Sequence, residues 1–348
     1  MLFIRCLRLC KATNGLKNVN FRKTSDFLQS FNLAKNLPRL FSTSSCNIET
    51  IVERSCESIG EGPHWDERTQ SLLYVDIHDG VVHRWSSLTG QNESHRFSAF
   101  CSLIIPCESG GYIVSNKKTI CHFDWDSKRL TAIDKVDDTK ATRINDGKCD
   151  ASGRLWFGTM GLEKSPAVVR ENQGSLYSLE RDGSVKLHKE GVSISNGLAW
   201  TADNKTMYYI DSIPRKVYAF DFDLNNGSIS NERVAINFGG EDTMTKLGYP
   251  DGMAIDTDDN IWIACYSVGR VVKFNPKTGE ELDSVSVPAL RTTSCCFGGK
   301  YFDELFITCS RYGLTENEKK ETPLAGSIFR VKGLGVKGTP APVYKGSI

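Results

Sequence analysis

No run in this sequence approaches the roughly 18 apolar residues of a membrane-spanning helix, which excludes a helical membrane span. Neither charge dominates: 43 Lys and Arg stand against 42 Asp and Glu, a formal net of +1. That balance excludes a polybasic nucleic-acid binder and an acidic disordered chain. The twelve Cys form no C-x-x-C pair and no Cys/His cluster at zinc-finger spacing. Apart from adjacent Cys295 and Cys296 they are scattered, which suits reduced, buried thiols rather than a disulfide framework. The six His show no Ser/His/Asp spacing for nucleophilic catalysis, and there is no EF-hand loop, P-loop or Rossmann glycine pattern. Sequons at Asn92, Asn204 and Asn226 would matter only in a secreted chain, and nothing else argues for secretion. What remains is a soluble globular protein, with enough of its 348 residues apolar to bury a core.

Charge is uneven at one end. Residues 1–47 carry eight basic side chains (Arg5, Arg8, Lys11, Lys17, Arg22, Lys23, Lys35 and Arg39) and one acid, Asp26. Arg5, Arg8 and Lys11 recur every third residue amid Leu2, Phe3, Ile4, Leu7 and Leu9, a basic stripe beside an apolar face on a helix. An amphipathic, Arg-rich, acid-poor leader ending in Ser and Thr is expected to be a mitochondrial transit peptide. A disordered leader on a cytoplasmic protein is the alternative.

The remainder, 48–348, repeats itself. A turn rich in Asp, Asn and Gly leads into a short aromatic and β-branched run. Asp150-Ala151-Ser152-Gly153 precedes Leu155-Trp156-Phe157, and Asp256 to Asn260 precede Ile261-Trp262-Ile263. Further copies are Asp66 to Thr69 before Leu72-Leu73-Tyr74, and Asp203-Asn204-Lys205 before Met207-Tyr208-Tyr209. Weaker ones lie at Gly110 to Val114 and Asp303 to Ile307. Turn chemistry flanking β-rich runs reads as hairpins. A recurrence of about 40–55 residues matches the blades of a propeller. The expectation is an all-β, six-bladed β-propeller forming one domain, with its inner strands lining a central channel.

Four polar runs stand out: Gly60-Glu61-Gly62-Pro63, Arg143-Ile144-Asn145-Asp146-Gly147-Lys148, Ser195-Asn196-Gly197 and Pro250-Asp251-Gly252. Each alone is an ordinary turn signal. Each, however, lies about the same distance ahead of its blade's aromatic strand, so all four should face one another across the channel. Their Glu, Asn and Asp oxygens favour Ca²⁺, Mg²⁺ or Mn²⁺, and carboxylates can also hold Zn²⁺.

These runs, with Thr292-Thr293-Ser294-Cys295-Cys296-Phe297-Gly298-Gly299 and Gly333-Leu334-Gly335-Val336-Lys337-Gly338, resemble the regucalcin, senescence marker protein and gluconolactonase family. That family also includes insect luciferin-regenerating enzymes. The resemblance spans about residues 53–340 and implies a six-bladed propeller with one divalent metal in its channel. Carried over, it implies the ligands Glu61, Asn196 and Asp251, and substrate contacts at Arg143, Asn145 and Glu163. Gly161-Leu162 departs from the family pattern just before Glu163, while Gly62 and His64 look like the insect enzymes. The implied activity is hydrolysis of a sugar lactone such as D-glucono-δ-lactone, with Asp251 as general base and Asp146 as runner-up. A small-molecule substrate and a monomer are expected, with no nucleic-acid or membrane partner. The alternatives are a non-catalytic calcium-binding regulator, an interaction scaffold, and a luciferin-regenerating-type hydrolase with another substrate.

Overall fold

The computed structural model describes residues 46–164 and 168–347, so the expected leader lies outside it except for its last two residues. Six four-stranded antiparallel sheets follow one another along the chain. Their first strands are Gly60–Asp66, Ile104–Pro106, Thr142–Cys149, Ser195–Trp200, Tyr249–Ile255 and Thr292–Gly298. First strands of neighbouring sheets touch around the ring, blades two and three packing through Ile105, Ile144 and Cys149, and Thr292–Gly298 touches Gly60–Asp66, so the ring closes. These are the six expected blades, numbered here in chain order.

Closure uses both ends of the described chain. Asn47–Val52 pairs with Ile328–Lys332 and thereby supplies the outermost strand of blade six. Glu49 and Arg330, on these two paired strands, form an ion pair.

The repeated signature has a physical cause. Asp150 Oδ1 accepts from the backbone N–H of Ser152 and Arg154 at 2.9 and 3.2 Å, tying the turn. Its Oδ2 accepts from the Trp156 indole at 3.0 Å. Two blades on, Asp256 does the same: Oδ1 binds Asp258 and Asn260 N–H at 3.0 and 2.9 Å, and Oδ2 binds the Trp262 indole at 3.1 Å. One carboxylate thus shapes the hairpin and satisfies a buried indole, which accounts for Asp recurring before Trp.

Burial follows position in the sheet. Second strands such as Ser71–Asp76 are buried throughout because each blade is covered on both faces. Outer strands such as Ser228–Asn237 are largely exposed and polar. The core is correspondingly divided into clusters that each straddle two blades. Tyr208 and Val217 of blade four pack with Ile263 and Val272 of blade five, and Trp65 and Trp85 of blade one pack with Phe306 and Ile328 of blade six. Two short helices, Met244–Leu247 and Glu316–Glu321, interrupt the strands. The second starts with a Thr315/Glu318 capping box. As expected, the described Cys are all free, and all but Cys46 are buried.

Candidate metal centre

The four polar runs are not turns. Each lies inside the first strand of its blade, at a break in ladder register: between Glu61 and His64, Ile144 and Gly147, Ser195 and Leu198, and Pro250 and Met253. These are β-bulges, in which an extra residue re-aims the side chains beside it. Gly and Pro in these runs serve the bulge. Gly62 has φ +55°, in the left-handed region. A Cβ on Gly252 would meet Ser294 Oγ at 2.0 Å, and one on Gly197 would meet the Met253 backbone at 2.8 Å.

The bulges bring the expected residues together. Glu61 and Asp251 lie within hydrogen-bonding reach of each other, and Asp146 and Arg143 both act on them electrostatically. Two carboxyl groups can share a hydrogen bond only if one keeps its proton. Burial, reinforced by repulsion from Asp146, pushes Glu61 up to about 8, against the pull of the Gly62 N–H at 2.7 Å and of Arg143. Asp251 is raised as well, by burial first and then by Glu61 and Asp146. Burial also raises Asp146, opposed by Lys148.

The amides form the other half of the cluster. Asn145 Nδ2 donates to Ser195 O at 2.8 Å and to Asn196 Oδ1 at 3.1 Å. Asn196 Nδ2 donates to Ser212 Oγ at 2.7 Å, and Ser212 donates in turn to Pro250 O at 2.7 Å. Arg143 Nη1 donates to Asn145 Oδ1 at 2.6 Å and to Ile144 O at 3.2 Å. Arg143 is buried, and the acids around it, Glu163 first and then Glu61 and Asp251, counter the desolvation of its charge.

Glu163 sits just after the strand Leu155–Gly161, with Oε2 3.8 Å from Arg143 Nη2 and 2.9 Å from His78 Nε2. His78 is a neighbour that motif reading missed, because nothing in its local sequence distinguishes it from a turn residue. Asp146 differs from Asp251 in its surroundings. With His64, Lys148 and Ser294 it lines a cavity of about 20 Å³, room for one water, and the buried His64 Nε2 has no hydrogen-bond partner among the described residues.

Among the described residues no three His, Cys, Asp or Glu side chains form a metal cage of their own. A cation at the hub would therefore need amide oxygen as well as carboxylate, as hard cations accept. The donor set fits this requirement. Glu61 and Asp251 are acids held beside each other at a cost that a divalent charge would remove, and Asn196 has its nitrogen committed to Ser212, which aims its oxygen the other way.

The fold and hub define a six-bladed propeller with an oxygen-rich polar centre built from four of its inner strands. Residues 59–311 match the family described as SMP-30/Gluconolactonase/LRE-like region. Regucalcin from Danio rerio is 42% identical over 303 residues, 87% of this chain and 100% of the relative. A solved luciferin-regenerating enzyme superposes with a TM-score of 0.80 at 36% identity, covering 86% of this chain and 100% of its own. A calcium-binding regucalcin from Agrobacterium tumefaciens shares the fold, with a TM-score of 0.78 at 24% identity over 85% of this chain and 96% of its own. The chain belongs to the SMP-30/gluconolactonase/LRE-like family.

Proposed function

We propose that this protein is a divalent-metal-dependent lactonase acting on sugar lactones such as D-glucono-δ-lactone. The observation that carries the reading is the Glu61–Asp251 contact at the hub, two acids from the inner strands of blades one and five held together beside the buried guanidinium of Arg143. Such an arrangement is unfavourable unless a cation or a shared proton neutralises it. Glu61, Asn196 and Asp251 would hold the ion, with Ca²⁺ first and Zn²⁺, Mn²⁺ or Mg²⁺ as further candidates. Bound there, it would supply Lewis acidity toward a lactone carbonyl and acidify water.

The chain's own residues do the rest. Asp251, through a carboxylate oxygen, takes the proton of the attacking water, with Asp146 second in line for that role. The water oxygen bonds to the carbonyl carbon, the ring C–O bond breaks, and the proton passes to the leaving ring oxygen to give the open-chain hydroxy acid. Arg143 is locked by Asn145 and the Ile144 carbonyl, which leaves its remaining N–H groups for substrate hydroxyls. Asn145 and Glu163 complete the polar wall around those hydroxyls. Metal-stripped protein given D-glucono-δ-lactone with and without Ca²⁺, Zn²⁺ or Mn²⁺ tests the reading, and turnover should appear only with a cation.

We further propose that the protein is a monomer acting on a small molecule, and that the Arg-rich, acid-poor composition of residues 1–47 makes them a mitochondrial address, the alternative being a cytoplasmic protein.

A further inference from the structure

The strongest unassigned feature is His78. It sits in the turn between Ser71–Asp76 and Val81–Ser86 of blade one, yet its Nε2 meets the carboxylate of Glu163 from blade three at 2.9 Å. The pair therefore reaches past blade two at the edge of the site. The ring packs against two aromatics, tilted on Phe100 at 5.0 Å and edge-to-face with Tyr312 at 4.3 Å between ring centres. Its backbone N–H donates to Ser58 Oγ at 3.2 Å, and Ser58 is itself bound to Asp76. An imidazole fixed at ring and backbone presents its nitrogen in one direction.

That direction matters because Glu163 has a competing partner. The same oxygen, Oε2, stands 3.8 Å from Arg143 Nη2, too far for a hydrogen bond but close enough for strong attraction. His78 draws the carboxylate away from the guanidinium, and its loss would favour a closer Glu163–Arg143 contact that competes for the N–H groups Arg143 offers a ligand. Held apart, the two groups offer an acceptor and a donor at a spacing that suits one hydroxyl between them or two on adjacent carbons. Resting on the lactonase reading, we infer that His78 is a positioning residue that holds Glu163 off Arg143 and so confers specificity for polyhydroxylated lactones.

His78→Phe keeps the aromatic contacts and removes the nitrogen, and His78→Gln returns an N–H to the same region. With calcium-loaded protein, His78→Phe should raise KM for D-glucono-δ-lactone about tenfold with kcat within twofold. KM for δ-valerolactone, which has no hydroxyls, should stay within twofold, and His78→Gln should recover most of the loss. Equal effects on both lactones, no effect on either, or a His78→Gln variant as impaired as His78→Phe would overturn the inference. D-gluconate binding, measured by calorimetry, separates the two readings. Gluconate affinity that depends on His78, in a protein that turns over no lactone, sinks the lactonase and supports the positioning role. Lactone turnover with gluconate affinity indifferent to His78 does the reverse, and a wild-type protein that neither binds gluconate nor turns over lactone overturns both.

Discussion

Asn145 Nδ2 donates to Asn196 Oδ1 at 3.1 Å, joining the inner strands of blades three and four at the hub. Because Ser212 Oγ accepts the Asn196 Nδ2 at 2.7 Å, the amide cannot turn over without losing both bonds. Ser212→Ala should therefore weaken divalent-cation affinity about tenfold, the cost typical of losing a group that orients a ligand. Titration calorimetry with Ca²⁺ reads this directly. Unchanged affinity would mean that Asn196 is not a ligand.

Glu61 and Asp251 make the second prediction, and its sign changes with conditions. In chelator, Glu61→Gln or Asp251→Asn should leave the melting temperature equal to wild type or above it, because the amide can keep the hydrogen bond while removing a buried ionisable group. In millimolar Ca²⁺ the wild type should gain several degrees and the variants little, since only the native hub binds the ion. A variant that melts lower in both conditions would point to a purely structural pair.

Arg143 is buried among acids and fixed by Asn145, so its removal should act on binding more than on chemistry. Arg143→Ala should raise KM for a sugar lactone well over tenfold with a smaller fall in kcat. A normal KM with a collapsed kcat would assign the guanidinium to the reacting atoms instead.

Much of this was visible in the sequence, and the reasons are specific. Asp150 and Asp256 each tie a turn and cap an indole, so the blade repeat is written as Asp before Trp and is legible in the sequence. The common position of Glu61, Asn145, Asn196 and Asp251 was readable as a shared offset. Their local conformation was not: Asn-Gly and Pro-Asp-Gly signal turns, whereas here they form bulges inside strands, where Gly197 and Gly252 let the next inner strand approach closely. His78 was invisible because its role comes from contacts with Phe100, Glu163 and Tyr312, each distant in sequence. The short helix Glu316–Glu321 had a readable Thr315/Glu318 cap but too few residues to show a period.

Acid stability follows from His83. Its ring stacks on Tyr74 at 4.5 Å, and burial lowers its pKa to about 4. The unfolded chain binds that proton near 6.5, so the stabilisation is full above this value and lost as pH falls from about 6.5 to about 4. The loss is on the order of 3 kcal/mol for a fully buried ring, and His64, likewise lowered to about 4, adds to it. Denaturant unfolding at pH 7.5 and 4.5 measures the drop, and His83→Gln should show a smaller one.

Truncation of the N-terminal side should break the ring's closure. Removal of residues 1–53 deletes Asn47–Val52 and leaves Ile328–Lys332 as an open edge, so the truncated protein should melt lower and aggregate. Residues 1–47 fused to a fluorescent protein should direct it to mitochondria, and diffuse cytoplasmic signal would contradict the transit reading.

Hydrolysis of D-glucono-δ-lactone by metal-stripped protein, followed as Ca²⁺, Zn²⁺ or Mn²⁺ is added, tests the central claim most directly. The account predicts saturable turnover above the uncatalysed rate with at least one of these ions, reaching its plateau at one ion per chain and absent in Asp251→Asn. Turnover indifferent to every cation, or undiminished in Asp251→Asn, would contradict it.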